Sequence, residues 1–412
     1  MLLYDVLIRE GRIVDGTGNP WFEADVGIEK ERITAIGSLA SASADTVIDA
    51  RRRVVCPGFI DMHSHSDFTL LVNPLAESKI RQGVTTEVIG NCGLSAAPLP
   101  NLLKEDIMKT MPMLKEAKLE LTWSTMGEYV SLIRMKGMAL NVATLVGNSN
   151  IRVSLLGFEN RPPTRDELQE MRKILTKAME DGAFGMSTGL IYPPSCYADT
   201  DEIMQLARVV ARFGGIYASH IRGEGSTLIS AVKEAIGIGE RAGIPVELSH
   251  HKASGKTNWG KVKETLQMME EARRRGVDVT CDVYPYTAGS TGLDSLLTPT
   301  AYEGGVEKLI DRLSTPKTRK KIKEEMIRAS KEGGPDTLGR PEWDAIMISY
   351  CKGHPDLEGR TIKDISEEKG VDPLESVFDL LIEEKASVGI VLFTMCDEDM
   401  RYVLSHHLSM VG

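Results

Sequence analysis

The sequence predicts an α/β fold: a (β/α)8 barrel of the TIM type, preceded in the chain by a small β domain. From Val54 onward, apolar strand-like runs alternate with amphipathic helical segments, the pattern of a parallel sheet joined by helices. The residues before Val54 form short β segments between turn residues. The chain has 412 residues, more than the roughly 250 that such a barrel takes. We therefore predict a small β domain at 1–53 and a barrel at 54–412.

The predicted strands follow from β-branched and apolar runs bounded by Gly, Pro, Asp and Asn. In the small domain they are Tyr4–Arg9, Gly11–Val14, Ala24–Glu29, Arg32–Ile36 and Thr46–Ile48. In the barrel they are Val54–Met62, Val84–Ile89, Asn141–Gly147, Phe184–Ser187, Ile216–His220, Pro245–His250 and Val277–Asp282. The barrel list contains seven strands, whereas a closed barrel of this type needs eight.

Helices are predicted between these strands. They are Glu77–Gln82, Leu103–Met113, Met126–Lys136, Arg165–Asp181, Thr200–Phe213, Thr227–Ala242 and Trp259–Arg275. Thr164, with Glu167 three residues later, has the spacing of a helix-capping box. The charged run Lys317–Glu325 is typical of a solvated helix. Its place after the seventh strand also fits an insertion, at about 298–342, that forms a lid over the barrel opening.

Composition restricts the partners. The formal net charge of -10 comes without a basic stripe, so we expect neither nucleic acid nor a membrane surface as a partner. No apolar run approaches the roughly 20 residues of a membrane span, and the N-terminus has no signal-peptide pattern. The six cysteines are scattered through a large chain, which favours reduced thiols. We therefore expect a cytoplasmic protein.

Two histidines follow the first predicted barrel strand. His63 and His65 are two residues apart, and strand geometry places such side chains on the same face. Two imidazoles on one rigid strand end suit a zinc ion with room left for water or substrate. The pair alone is weak evidence, because a solvated strand end has the same pattern.

Further metal-binding residue types occur at other strand ends. Cys92 follows the second strand, His220 ends the fifth and His250 ends the sixth. In an α/β barrel the carboxyl ends of the strands converge on one face, which carries the active site. We therefore predict one site for one or two metal ions, with Cys92 as a thiolate able to bridge them. The predicted ligands are His63, His65, Cys92, His220 and His250.

These motifs resemble the N-acyl-D-amino-acid deacylases, or D-aminoacylases, of the amidohydrolase superfamily. The resemblance covers essentially the whole chain. Its motifs are Pro57–Asp67, Gly90–Gly93, Ser219–Arg222, Ser249–Lys252 and Asp282–Tyr286. The cysteine is the most specific element, since many superfamily relatives bridge their metals with a carboxylated lysine. The resemblance implies an amidohydrolase-type barrel in which Cys92 bridges two metals. It also implies that His63 and His65 bind the weaker metal and that His220 and His250 bind the tighter zinc.

The resemblance also implies the reaction. A metal-activated water attacks the acyl carbonyl of an N-acyl-D-amino acid, and a carboxylate and a free D-amino acid are released. Lys252, two residues after His250, is placed for charge-assisted contact with the substrate carboxylate. Tyr192 and Ser290 resemble substrate-contacting residues of the family, with ordinary loop hydroxyls as the alternative.

One feature of the family is missing from the sequence. The resemblance implies a catalytic aspartate in a Gly-Ser-Asp-Gly segment at the eighth strand, but the sequence stops at Ser409–Gly412. We therefore expect a truncated chain with barrel and small β domain both incomplete at the C-terminus, and we identify no catalytic residue in it. The alternatives are a cyclic-amide or D-peptide hydrolase, or an inactive metal-binding remnant. Exposed strand edges of an incomplete barrel favour pairing, so a homodimer is expected.

Overall fold

A computed structural model describes residues 3–332 and 342–412 of the chain, which divides into two compact units. One unit runs to Phe59 and includes Gln82–Thr85, and the other comprises Ile60–Arg81 and Thr86–Gly412. The strands are β1 (Leu3–Ile13), β2 (Phe22–Glu29), β3 (Arg32–Gly37), β4 (Ser43–Asp49), β5 (Val54–Val55), β6 (Phe59–Asp61), β7 (Val84–Ile89), β8 (Asn141–Gly147), β9 (Gly185–Gly189), β10 (Ile216–His220), β11 (Val246–Leu248), β12 (Val279–Val283), β13 (Gly289–Gly292), β14 (Ile346–Cys351), β15 (Val388–Leu392) and β16 (Ser409–Val411).

Helices follow most of the strands, as the amphipathic segments predict. They are α1 (Thr69–Val72), α2 (Glu77–Ile80), α3 (Asn101–Thr110), α4 (Pro112–Glu116), α5 (Met126–Lys136), α6 (Asn148–Leu156), α7 (Arg165–Glu180), α8 (Thr200–Arg212), α9 (Leu228–Ala242), α10 (Lys261–Arg274), α11 (Val306–Ser314), α12 (Pro316–Glu332), α13 (Ile362–Lys369), α14 (Pro373–Glu383) and α15 (Asp397–Leu404). In the described part of the chain, none of them combines the length and apolar character needed to cross a membrane.

The first unit contains a small sheet with the strand order β3-β2-β1-β4, and β5 also pairs with β1. β1 runs antiparallel to β2 and parallel to β4. The sequence predicts two strands at Tyr4–Arg9 and Gly11–Val14, and this division is wrong. They form one strand with an irregularity between Ile8 and Gly11, so the polar residues there mark a bulge and not a turn.

The barrel is an eight-stranded sheet with the order β16-β12-β11-β10-β9-β8-β7-β6. Neighbouring strands from β7 to β12 pair in parallel, and so do β12 and β16. The two ends of the sheet, β6 and β16, approach each other. The amide nitrogen of Met62, which follows β6, lies 3.5 Å from the carbonyl oxygen of Val411 in β16. The predicted barrel class is confirmed. The prediction of only seven strands is corrected, since β16 supplies the eighth.

The first barrel strand is shorter than predicted. The sequence predicts one continuous strand at Val54–Met62, but this run divides into β5 and β6. Pro57 lies between them, and proline has no amide hydrogen to give to a neighbouring strand. The apolar run is therefore shared between the small sheet and the barrel.

A second sheet lies between β12 and β16 in the sequence. β15 pairs antiparallel with both β13 and β14, and α11–α14 belong to the same stretch of chain. The lid predicted at about 298–342 includes α11 and α12, while its residues 333–341 lie outside the described part of the chain. Its role as a lid stays a prediction.

The main core lies between the barrel strands and the helices around them. Met186, Tyr217 and Leu248, from three adjacent strands, are completely buried. They belong to one hydrophobic cluster with Ile203 of α8 and Val232 of α9. Burying each large apolar side chain stabilises the fold by about 1.5–3 kcal/mol. This packing fixes the strands and therefore the positions of the side chains at their ends.

The start of α7 confirms the predicted capping box. Thr164 Oγ1 accepts a hydrogen bond from the amide of Glu167, and the Glu167 carboxylate accepts one from the amide of Thr164. Arg161 also donates to both oxygens of Glu167, at 2.7 and 2.8 Å. The hydrogen bonds from Arg161 and then from Thr164 lower the pKa of Glu167 from 4.5 to about 2.

We predict that Glu167→Gln lowers the melting temperature at neutral pH and that this difference vanishes towards pH 2. The ionised carboxylate stabilises the fold above its unfolded pKa of 4.5, and this contribution is lost as the pH falls to about 2. A glutamine side chain can still accept the capping hydrogen bond from the Thr164 amide, but it carries no negative charge. Melting curves of both proteins across this range test the expectation, with Glu170→Gln on the same helix as a control. An equal difference at all pH values would contradict it.

Candidate metal centre

The predicted site residues lie around one cavity in the second unit. Its volume is about 400 Å³. Seven of the eight predicted residues line it, namely His63, His65, Tyr192, His220, His250, Lys252 and Ser290. The eighth, Cys92, contacts two of these histidines through its sulfur. Gly412, which follows β16, also lines the cavity.

Each candidate ligand is placed by the carboxyl end of a barrel strand. His63 and His65 follow β6, Cys92 follows β7, His220 is the last residue of β10 and His250 follows β11. Parallel strands of a barrel bring these ends to one face, which explains how residues far apart in the sequence meet. Both Cys92 and His250 have a positive φ, at 53° and 37°, which is uncommon for residues with a side chain. Such strained backbone is typical of functional sites.

Cys92 lies between two histidines. Its Sγ is 3.3 Å from His63 Nε2 and 3.3 Å from His250 Nε2. The ring centroids of these two histidines are 4.9 Å apart. The sulfur and the two nitrogens are therefore close enough for one metal ion to bind all three.

A second group of candidate ligand atoms shares His250. It contains His220 and Glu224, and Glu224 Oε1 lies 3.5 Å from His220 Nε2. His220 is buried, and within the described residues neither of its ring nitrogens makes a hydrogen bond, since Nε2 has only the 3.5 Å contact with Glu224. A buried imidazole without hydrogen bonds is costly unless it binds something, so the donor set fits a metal ion such as zinc. His65 lines the cavity with its ring centroid 5.2 Å from that of His63, but it belongs to neither close group among the residues described.

The charges around Cys92 favour its thiolate. Burial opposes ionisation, but the positive charges of His63 and His250 outweigh burial and lower the pKa of Cys92 well below 9.0. For His63, burial is likewise outweighed by Asp282 and Cys92, and the pKa of the imidazole is raised. The thiolate is the form that binds metals, and a metal would displace the protons of the imidazoles.

Lys252 is more enclosed than its predicted role suggests. Its Nζ lies 2.6 Å from Glu224 Oε1 and 2.9 Å from the carbonyl oxygen of His250, and it also faces the ring of Tyr284. Burial would lower the pKa of Lys252, but Glu224 outweighs burial and raises it. A cationic ammonium group is therefore held at the wall of the cavity. A substrate carboxylate would have to share it with Glu224.

Tyr192 and Ser290 form another part of the wall. The Tyr192 ring lies edge-on to His220 with the centroids 5.0 Å apart, and its hydroxyl is 3.1 Å from Thr291 Oγ1. Ser290 lies in β13 and is exposed. The sheet of β13, β14 and β15 thus contributes directly to the cavity.

Two carboxylates were not predicted as site residues. Glu224 contacts His250 Nδ1 at 3.1 Å, and Asp282 contacts His63 Nδ1 at 3.0 Å. Each therefore faces a histidine nitrogen on the side away from Cys92. Asp282 is the last residue of the seventh predicted strand, and that position is the sequence signal that could have found it. Glu224 follows His220 by four residues in a loop, and nothing local distinguishes it from a solvated glutamate.

The other buried histidine and the cluster near the C-terminus lie apart from this centre. His251 is buried, and its Nε2 lies 2.7 Å from Thr265 Oγ1. His406 precedes β16, at the amino end of that strand, and its ring nitrogens face the amide of Leu408 and the carboxylate of Glu270. Arg274 also contacts Glu270. These residues form a local polar network at the opposite end of the barrel from the cavity.

Comparisons with known proteins agree with this geometry. An amidohydrolase family model matches residues 46–336. The D-aminoacylase of Alcaligenes xylosoxydans xylosoxydans is 34% identical over 409 residues, which cover 99% of this chain and 74% of that protein. The chain belongs to the amidohydrolase family. The N-acyl-D-glutamate deacylase of the same organism is 35% identical to this amidohydrolase over 408 residues, which cover 99% of this chain and 73% of that protein.

Solved structures give the same relationship. The crystal structure of an N-acyl-D-glutamate deacylase from Bordetella bronchiseptica, in complex with zinc and a phosphonate mimic of the tetrahedral intermediate, superposes on this amidohydrolase with a TM-score of 0.80 at 32% identity. A D-aminoacylase crystal structure has a TM-score of 0.78 at 34% identity. Both comparisons cover 99% of this chain and 75% of the other.

The loop that carries Cys92 depends on Gly90. Its φ is +79°, and a Cβ at this position would collide with the carbonyl oxygen of Leu145 in the neighbouring strand β8. A residue with a side chain would therefore be strained twice, by its own backbone and by the contact. Only glycine at position 90 therefore lets the loop after β7 pass this close to β8.

We predict that Gly90→Ala destabilises this amidohydrolase by about 3 kcal/mol, because both strains add to the folded state. The matched control is Gly237→Ala in α9, where a Cβ meets nothing within 4 Å. That variant should gain about 0.5–1 kcal/mol, since alanine favours a helix. Chemical denaturation of the three proteins measures both effects. Equal stabilities for the two variants would refute the close approach of Gly90 to β8.

Proposed function

We propose that this amidohydrolase hydrolyses the amide bond of N-acyl-D-amino acids, releasing a carboxylate and a free D-amino acid. The observation that carries the proposal is the cavity in which a buried cysteine, four histidines and a lysine meet at the strand ends. The named relatives support the choice of substrate, because D-aminoacylase and N-acyl-D-glutamate deacylase align with 99% of the chain.

We assign His63, His65, Cys92, His220 and His250 as ligands of one or two zinc ions. Imidazole nitrogens and a thiolate are preferred ligands of zinc, and within the described residues neither ring nitrogen of His220 is occupied by a hydrogen bond. Zinc, when bound, supplies a Lewis acid and makes a water molecule acidic enough to serve as a nucleophile near neutral pH. A zinc-containing relative supports the choice of metal.

The protein's own residues bind and orient the substrate. Lys252 carries a positive charge at the cavity wall and suits the α-carboxylate of an N-acyl amino acid. Tyr192 and Ser290 offer hydroxyl groups on the wall formed with β13. Glu224 holds Lys252 in place and balances its charge. We assign no proton acceptor for the reaction among the described residues.

Two properties of the whole protein remain proposals. A cytoplasmic location is supported by the cysteines, all six of which are free thiols, as is usual in a reducing compartment. A homodimer is proposed from the outer strands of the small sheet, β3 and β4, because the barrel sheet contains all eight strands. Cell fractionation and light scattering of the purified protein test these two points.

We predict that the purified protein contains about one or two equivalents of zinc by elemental mass spectrometry. His220→Ala and Cys92→Ala should each lower the zinc content by at least one equivalent, because each removes a buried ligand. His354→Ala is the control, since that histidine is exposed and pairs with Glu383. Folded wild-type protein that binds no zinc, even after incubation with the metal, would disprove the assigned centre.

We predict that the zinc-loaded protein releases free amino acid from N-acetyl-D-amino acids and not from their L enantiomers. A panel of N-acetyl-D-leucine, N-acetyl-D-glutamate and N-acetyl-D-aspartate, each with its L form, tests this by detection of the primary amine. Cys92→Ala should reduce the rate by about 100-fold or more, because the metal site is lost. Turnover of only the L forms, or of a cyclic amide such as hydantoin instead, would contradict the proposal.

A further inference from the structure

We propose that Asp282 is a positioning residue of the metal centre: its carboxylate fixes the orientation and tautomer of His63 and holds the backbone that carries His250. The inference rests on the proposed metal-binding function. Asp282 lies in β12, next to its last residue. It therefore connects the seventh strand of the barrel to ligands that follow two other strands.

Both oxygens of Asp282 contact the centre. Oδ2 lies 3.0 Å from His63 Nδ1, and Oδ1 accepts a hydrogen bond of 2.7 Å from the amide of His250. The residue is only 1% exposed. A carboxylate so deeply buried is stable only when its oxygens are paired, and these two contacts provide the pairing.

The contact with His63 selects one form of the ring. A carboxylate accepts hydrogen bonds, so the proton of a neutral His63 must lie on Nδ1 and be donated to Asp282. Nε2 then keeps its lone pair and points at Cys92 Sγ, 3.3 Å away. A carboxylate behind a histidine in this way fixes the ring and increases its basicity as a metal ligand.

The second contact acts on the backbone of His250. This residue has a φ of +37°, which a side chain rarely adopts. Its amide is held by the Asp282 carboxylate, and the amide of His251 donates to the Asp282 carbonyl oxygen at 2.8 Å. Side chain and main chain of one residue therefore keep the strained turn in place, with His250 Nε2 on the other side of Cys92.

The contacts of the Asp282 carboxylate are those of a residue that positions metal ligands, and not those of the proton acceptor of the reaction. Both oxygens of Asp282 face protein groups, one a ring nitrogen and one a backbone amide. A proton acceptor for the reaction must reach the attacking water, and Asp282 is not among the described residues that line the cavity. Asp282 therefore acts through the ligands.

The test is the variant Asp282→Asn, with Zn2+ and Co2+ alone as probes. The asparagine oxygen can still accept from the His250 amide, but its NH2 group then faces His63 Nδ1 and favours a proton on Nε2, the wrong nitrogen for binding the metal. We expect the affinity for the metal that His63 binds to fall by about 10–100-fold in competition with a chelating dye. The control is Asp399→Asn, because Asp399 is also buried and accepts a backbone amide, that of Gly260, away from the centre.

A double-mutant cycle separates this role from general damage. If Asp282 acts through His63, Asp282→Asn should have little further effect on metal affinity in a His63→Ala background. An equal loss in both backgrounds would overturn the proposal, and so would an unchanged affinity in the single variant. Circular dichroism and melting curves establish that the variants are folded.

A measurement on the unmodified protein keeps the proposal testable if the variant does not fold. The chain has eight histidines, so nitrogen NMR of zinc-loaded, 15N-histidine-labelled protein can be assigned with single histidine variants. A proton on Nδ1 of His63 supports the proposal, and a proton on Nε2 refutes it. Failure of the wild-type protein to bind either metal would instead disprove the proposed function, and the inference with it. Wild-type binding with no effect of Asp282→Asn would disprove the inference alone.

Discussion

Parallel pairing of the barrel strands is the constraint on which the centre depends. The strands β6, β7, β10 and β11 end on the same face and bring the candidate ligands that follow or end them to one centre. His63 and His250 come to opposite sides of Cys92 in this way, although 187 residues separate them in the sequence numbering (250 − 63). The hydrophobic packing between strands and helices holds this register.

Charge balance is the second condition for such a centre. The centre combines a cysteine whose thiolate is favoured, imidazoles, carboxylates and an ammonium group, and burying any of these charges alone would cost several kcal/mol. They occur as pairs: Cys92 with His63, Asp282 with His63, and Glu224 with Lys252. Removing one member would leave a buried charge without a partner. The centre is therefore one electrostatic unit, in which ligand and supporting residues depend on each other.

The segment between β12 and β16 adds a wall that the barrel itself lacks. β13 pairs with β15, and Thr291 of β13 lies within hydrogen-bond distance of the Tyr192 hydroxyl. This sheet joins segments about a hundred residues apart, from Gly289 to Leu392. Short strands of this kind have no strong local pattern, since their stability comes from the distant partner. This is why the sequence predicts a charged insertion at about 298–342 but not the three strands that come before and after it.

Local patterns of apolar runs followed by polar residues are enough to predict the barrel class, seven of its strands and the donor residues at their ends. The place of β16 in the sheet emerges only in the folded chain, since its three residues are too few to form a pattern. The contacts of Glu224 and Asp282 likewise emerge only there. Asp282 and His63 are 219 residues apart in the sequence but in contact in the structure. Such a contact depends on the closure of the whole barrel and not on neighbouring residues.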